Sequence, residues 1–358
     1  MKRRQGKISI LSLSVVTLIT IGLMTLELNS KTRVEAKYHK EKLDAARTAQ
    51  TAFAHVKKTV YEMGIPIDRI NDPNETGLIG LQYSPITTER GDLDAKLTST
   101  NSNFAALVIH YLKQTGVRKN DTVAVLLTGS YPALNISVMS AMKTLELQAV
   151  IITSVSSSMW GANFPELTYL DIEALCRSND IFKYKSTVAT FGGEDDVGRG
   201  LSPAGREIIE EAAMRNGVSL LTAANLDEAI QEKMKIYESS GRIRLFVNAA
   251  EKATAFAGLD GDNGLIKPHS LKAGNGLLAR FSRKGIPVIN LADIELLALK
   301  SDLPLAPLPL PNPGEGRLYY EYRYSVPMAV AIVLILAVIL FVVLRYDIDR
   351  YLKRSKND

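Results

Sequence analysis

Three short stretches carry residue types suited to chemistry, and each follows an apolar run. In the first, Thr128-Gly129-Ser130 leads into Tyr131-Pro132. Ser130 there has three readings. It is a favoured helix cap, worth about 1 kcal/mol. It lies at a helix start whose free N–H groups hold a carboxylate or phosphate. Or it is a nucleophile, the weakest reading: no G-x-S-x-G elbow surrounds it. The only histidine offered as its base is His269 in Lys267-Pro268-His269. In the second stretch Ser156, Ser157 and Ser158 supply hydroxyl and amide donors before Trp160-Gly161, and Trp160 is the single tryptophan. It either touches a ligand or anchors the loop by packing. In the third, Glu194-Asp195-Asp196 between glycine pairs suits a hard cation such as Mg²⁺, although an acidic surface turn is the simpler reading. A fourth loop follows Asn248. Ser130, Asp196 and His269 are thus the catalytic candidates, and the three acids the metal candidates.

Other chemistries are disfavoured. There is no G-x-x-x-x-G-K-[ST] phosphate loop, the four histidines are scattered, and the lone Cys176 precludes an internal disulfide or a cysteine-cluster metal site. No cofactor is expected.

The elements that must position these loops read as alternating strands and helices. Apolar runs at 123–127, 149–153, 187–191, 218–221, 243–247 and 288–291 are separated by helical stretches at 132–145, 204–216 and 226–238. Strands apolar throughout imply a parallel sheet covered on both faces. The order predicts an open, mostly parallel, Rossmann-like α/β sheet, whose ligands sit outside the carboxyl ends of the strands. A stripe from Val34 to Met63 predicts a helix over 32–63 packed on its own domain.

Two runs of 19 residues without a charge, Ile8–Leu26 and Val326–Leu344, each reach about 28 Å, enough to cross a hydrocarbon core. The first is read as an uncleaved anchor. Lys2, Arg3, Arg4 and Lys7 precede it, and five bases follow the second, so both termini are expected in the cytoplasm. The chain then divides into a cytoplasmic start (1–7), a span (8–26), a membrane-proximal helix and linker (27–70), an extracytoplasmic α/β domain (71–300), a Pro-rich spacer (301–325), a second span (326–344) and a basic tail (345–358). Nine of the 43 bases flank the spans and three of the 38 acids lie in the tail, leaving 34 bases against 35 acids outside. That balance gives no sign of nucleic-acid binding and argues against a broadly basic surface built for a polyanion.

The runs GDLDAKLTSTNSNFAALVIHYLKQTGV, DTVAVLLTGSYPALNISVMSAM, SVSSSMWGANFPELTYLDIEALC and DDVGRGLSPAGREII together resemble the poly-gamma-glutamate system protein family, over most of residues 60–320. The matching positions are Gly129, Ser130, Pro132, Asn135, Trp160, Gly161, Asp171, Glu173, Gly198 and Gly200. Where the family carries a glycine-rich turn after Phe246-Val247-Asn248, this chain has Ala249-Ala250-Glu251. The resemblance implies a membrane component of a capsule- or polymer-forming system, beside an ATP-dependent amide ligase and a multispan partner, handling a γ-linked glutamate polymer. It brings no reaction mechanism.

Ligand contact is therefore expected at Gly129, Ser130, Asn135, Ser156, Ser157, Ser158, Trp160 and Gly161. Three functions compete: a non-catalytic assembly or polymer-handling factor, an extracytoplasmic hydrolase or transferase acting on γ-linked chains, and a sensor of a small anion. A Gly129→Val change is expected to damage an anion cradle while sparing a scaffold.

Overall fold

The computed structural model describes residues 10–193, 195–250, 255 and 263–346. Residues 37–319 form one compact unit, and the chain on either side forms another.

The larger unit is built on a seven-stranded sheet. Six strands run parallel: β3 (Thr122–Thr128), β4 (Gln148–Ser154), β8 (Val188–Thr190), β9 (Ser219–Leu221), β10 (Ile243–Asn248) and β12 (Val288–Asn290). β11 (Gly264–Ile266) adds an antiparallel edge beside β12. The spatial order is β11-β12-β10-β3-β4-β8-β9. The chain winds outward from β3 to β9, then returns to place β10 on the other side of β3. This is the mixed α/β, mostly parallel architecture expected, with its winding reversal between β3 and β10. Such reversals open a crevice at the carboxyl ends of the strands.

Alternation along the strands divides the core. Ala124, Leu126 and Ile152 meet Ile230, Met234 and Tyr237 of α8 (Leu226–Ser239) and Phe281 of α9 (Leu277–Arg283). Phe246 stacks on Phe281 at 4.4 Å between ring centres, and the Tyr237 hydroxyl donates to Val125 O at 2.8 Å. On the opposite face Ala189 and Phe191 pack with Ile209 and Ala213 of α7 (Pro203–Arg215) and Leu170 of α6 (Tyr169–Ser178). Because both faces are covered, residues 123–127 are all apolar and fully buried.

Two expectations change. The helix predicted from Thr32 begins at His39, because Tyr38 adopts a left-handed φ of 62°; α2 (His39–Glu62) then buries Ala45, Ala49, Phe53 and Val56, packing beside α4 (Phe104–Thr115) and α5 (Pro132–Thr144). The Pro-rich segment, expected to stand free as a spacer, lies on the domain through residue 319. Asn74 Nδ2 donates to Pro307 O (2.8 Å), Ala306 N to Thr98 Oγ1 (2.8 Å) and the Tyr319 hydroxyl to Asn103 Oδ1 (2.5 Å). Prolines fix φ and remove donors, so side chains of the domain supply the bonds that hold this strap.

In the smaller unit β1 (Thr32–Glu35) pairs antiparallel with β13 (Tyr320–Arg323). This joins the end of α1 (Ile10–Leu28) to the start of α11 (Val326–Arg345), and the two helices pack together. α11 is long and apolar enough to cross a membrane. Ile8 and Ser9 of the first expected span lie outside the described residues.

Candidate functional site at the carboxyl ends of the strands

The loops after β3, β4 and β8 converge with a strap from residues 78–91. β2 (Thr87–Glu89) pairs parallel with β5 (Ser157–Ser158). Trp160 N donates to Leu81 O (2.8 Å), and Gly80 N returns a bond to Trp160 O (3.1 Å). The strap leaves a crevice of about 30 Å³, lined by Thr88, Glu89, Thr128, Ser130, Ser154 and Ser156 with the glycine turn of residues 192–193. That volume admits one or two water-sized groups, far below the hundreds of cubic ångströms of an ordinary ligand pocket.

Ser130 is not the helix cap. The cap position is Tyr131, which makes no side-chain capping bond, and Pro132 follows at the first helical position. The Ser130 hydroxyl instead accepts from Ser158 N (3.0 Å) and from Thr128 Oγ1 (3.2 Å). A hydroxyl oxygen has two lone pairs and one proton. Both lone pairs are engaged, so what Ser130 presents to the crevice is a donor. A nucleophile needs the reverse, a lone pair facing the substrate and a base taking the proton.

Buried lysines secure the surroundings. Lys96 of α3 (Leu93–Ser99), 1% exposed, donates to Ser130 O and to Ser158 Oγ (2.7 Å), and its ammonium lies 3.8 Å from the centre of the Tyr131 ring. At the floor, Asp196 accepts from Ser154 Oγ (2.6 Å) and Thr190 Oγ1 (2.9 Å) through one oxygen, while Lys233 approaches the other at 2.5 Å. Both partners of this ion pair are buried. The turn that aims Asp196 inward uses left-handed backbone at Gly192, Gly193 and Asp196, and Arg206 braces it by donating to Val197 O and Gly198 O.

The described members of the candidate acidic cluster do not converge on one point. Asp195 turns to Arg199 (2.5 Å) while Asp196 faces Lys233, so the two carboxylates point to different ammonium or guanidinium partners. Glu194 lies outside the described residues, and among those described no three metal-ligating side chains cluster.

Asn135, fully buried, donates to Thr128 O (2.7 Å) and ties α5 to the strand end; its Oδ1 has no partner among the described residues. Ser156 shares a 3.3 Å hydroxyl contact with Thr88, and Ser157 donates to Ser158 O. Trp160 has a left-handed φ of 61° and a buried indole N–H without a partner among the described residues, and its main chain anchors the strap. Gly129 and Gly161 serve close packing: a Cβ on Gly161 would lie 2.1 Å from Ser157 Oγ and 2.7 Å from Gly129 O. His269 is not brought here. Because β11 runs antiparallel, the turn after it reaches the amino ends of the strands, where His269 is exposed beside Gly285.

Asp171 and Glu173 are structural in this arrangement. Asp171 closes a capping box with Thr168. Burial pushes its pKa up, but bonds from Arg215, Thr168 and Asn216 outweigh that and hold it below the usual carboxylate value. Glu173 accepts from Ser186 N and Oγ, both at 2.7 Å, yet burial raises its pKa to about 7. With the folded pKa above the unfolded one, the native state binds the extra proton between about pH 4.5 and 7, and stability falls as pH rises through that window. Glu173→Gln should remove that slope. Urea unfolding at pH 5 and 8 checks this: the variant should gain on the wild type at pH 8 by roughly 2–4 kcal/mol, and an unchanged slope would contradict the assignment.

The chain matches no family model, and no curated protein and no solved structure shows significant similarity to it.

Proposed function

We propose that this protein is a membrane-anchored, extracytoplasmic component of a poly-gamma-glutamate synthesis and export system, acting without covalent catalysis as an assembly or polymer-handling factor. The observation that carries the non-catalytic reading is the crevice. Its central serine has both lone pairs engaged, its acid is held by a buried ammonium, and its volume is about 30 Å³. The polymer system comes from the resemblance of the four motif runs.

Anchoring by two spans with both termini in the cytoplasm is supported by the charge flanks and by the β1–β13 ribbon, which brings the end of one apolar helix to the start of the other. Arg33 lies 3.5 Å from the centre of the Tyr320 ring and Lys31 4.8 Å from that of Tyr324. Amphipathic groups of this kind suit the boundary between lipid and water. The expected partners are the bilayer, the ligase and multispan proteins of the system, and the polymer itself.

The test is a strain lacking the chain, complemented with the wild type or with Ser130→Ala. Deletion should lower surface polymer, and both complements should restore it. Normal polymer in the deletion strain would overturn the proposal.

A further inference from the structure

The near-neutral total charge of residues 27–325 hides a local asymmetry at the end of the sheet opposite the crevice. Arg242 immediately precedes β10 and Arg244 is its second residue, so both lie at the amino end of that strand. The antiparallel β11 delivers Lys267 to the same end, and Lys284 caps the carboxyl end of α9 just before β12. The topology thus gathers four cations from separate segments around one groove of about 560 Å³. From Lys267 to Lys284 the sequence has no acidic residue. Two carboxylates approach the cations: Asp121 at 3.9 Å from Arg244, and Glu238 paired with Lys284. The second pair is solvent-exposed and the first is long and partly exposed, so both hold their partners weakly. Arg242 and Lys267 are exposed, with no carboxylate among the described residues in ion-pair range.

The walls narrow the ligand class. Val117, Leu265 and Ile286 form an aliphatic, half-buried floor. Among the described residues no aromatic ring lines the groove, so they offer none of the stacking platforms with which single-stranded nucleic acids are held. Cations above an aliphatic floor match a chain that alternates carboxylates with methylene carbons. We propose that this groove binds a segment of a flexible organic polycarboxylate. The inference rests on the polymer-handling reading for the identity of that polymer and on the groove itself for its chemistry.

Binding of fluorescent γ-linked polyglutamate to the full-length protein in nanodiscs of neutral lipid tests this. Polyphosphate and a single-stranded oligonucleotide of matched charge serve as competitors. Polyglutamate should bind, and its affinity should fall at least about tenfold between 50 and 200 mM salt, as expected for exposed ion pairing. The double variant R242E/K267E should weaken binding at least about tenfold more, and the neutral R242Q/K267Q should fall between it and the wild type. An unchanged unfolding midpoint establishes that both variants are folded; if R242E/K267E is not, R242Q/K267Q alone decides. Absence of binding, insensitivity to these substitutions, or stronger binding of either competitor would overturn the proposal. A failed groove leaves the deletion phenotype intact, whereas normal polymer in the deletion strain with binding retained would sink the cellular role alone.

Discussion

Lys233→Met should destabilise the α/β domain by about 3–5 kcal/mol, the cost of leaving one partner of a buried ion pair uncompensated. Lys233 is 0% exposed, and its ammonium lies 2.5 Å from an Asp196 carboxylate that also accepts two hydroxyl bonds. Methionine fills similar volume along α8 but leaves the carboxylate charge facing an apolar helix. Admitting water would relieve the penalty only by opening the floor of the crevice. Adding Asp196→Asn removes the charge and keeps an acceptor for Ser154 and Thr190. The double variant should therefore recover most of the loss. Denaturant unfolding measures both; a loss under about 1 kcal/mol for Lys233→Met would mean that the pair is hydrated.

Gly129→Ala should cost about 2–4 kcal/mol, at or above the usual range for overpacking. Its Cβ would stand 2.5 Å from Val155 O and 2.9 Å from Ser156 O, both backbone atoms. Neither side can retreat cheaply. Gly129 N donates to Ser154 O (2.8 Å), and Ala162 N donates to Gly129 O (2.7 Å). The Gly129→Val change expected to separate a cradle from a scaffold therefore disrupts both, and Ser130→Ala is the cleaner probe. An unfolding midpoint for Gly129→Ala equal to that of the wild type would refute the packing account.

The sheet was legible because its signal is local. Strands covered on both faces must be apolar throughout, and the intervening helices carry the apolar spacing that seats them. What escaped depends on distant partners. Thr32–Glu35 continues a helical stripe by spacing, yet pairs with residues 320–323, which no local pattern announces. The Pro-rich segment lacks the donors of regular structure, and its binding to Asn74, Thr98 and Asn103 is a tertiary event. Ser130 carried the residue type of a cap but sits one position too early, its hydroxyl turned toward Ser158. Lys233 had a readable signal: it occupies the apolar stripe of α8 with Ile230, Met234 and Tyr237, and a lysine in such a stripe needs a buried counter-charge. The cationic groove was masked by summing charge over the whole domain, since topology, and not composition, sets where the charges meet.

In the proposed role the chain serves a polymer-forming system without catalysing a covalent step at its serine-lined crevice. The most direct measurement is the amount and length of surface poly-gamma-glutamate in a deletion strain complemented with Ser130→Ala, with protein level followed in parallel. Loss of the bonds accepted from Ser158 N and Thr128 Oγ1 leaves a buried N–H unpaired and should cost about 1–3 kcal/mol of stability, with polymer amount and length as in the wild-type complement. Loss of polymer, or a changed length distribution, with Ser130→Ala present at the wild-type level would contradict the account.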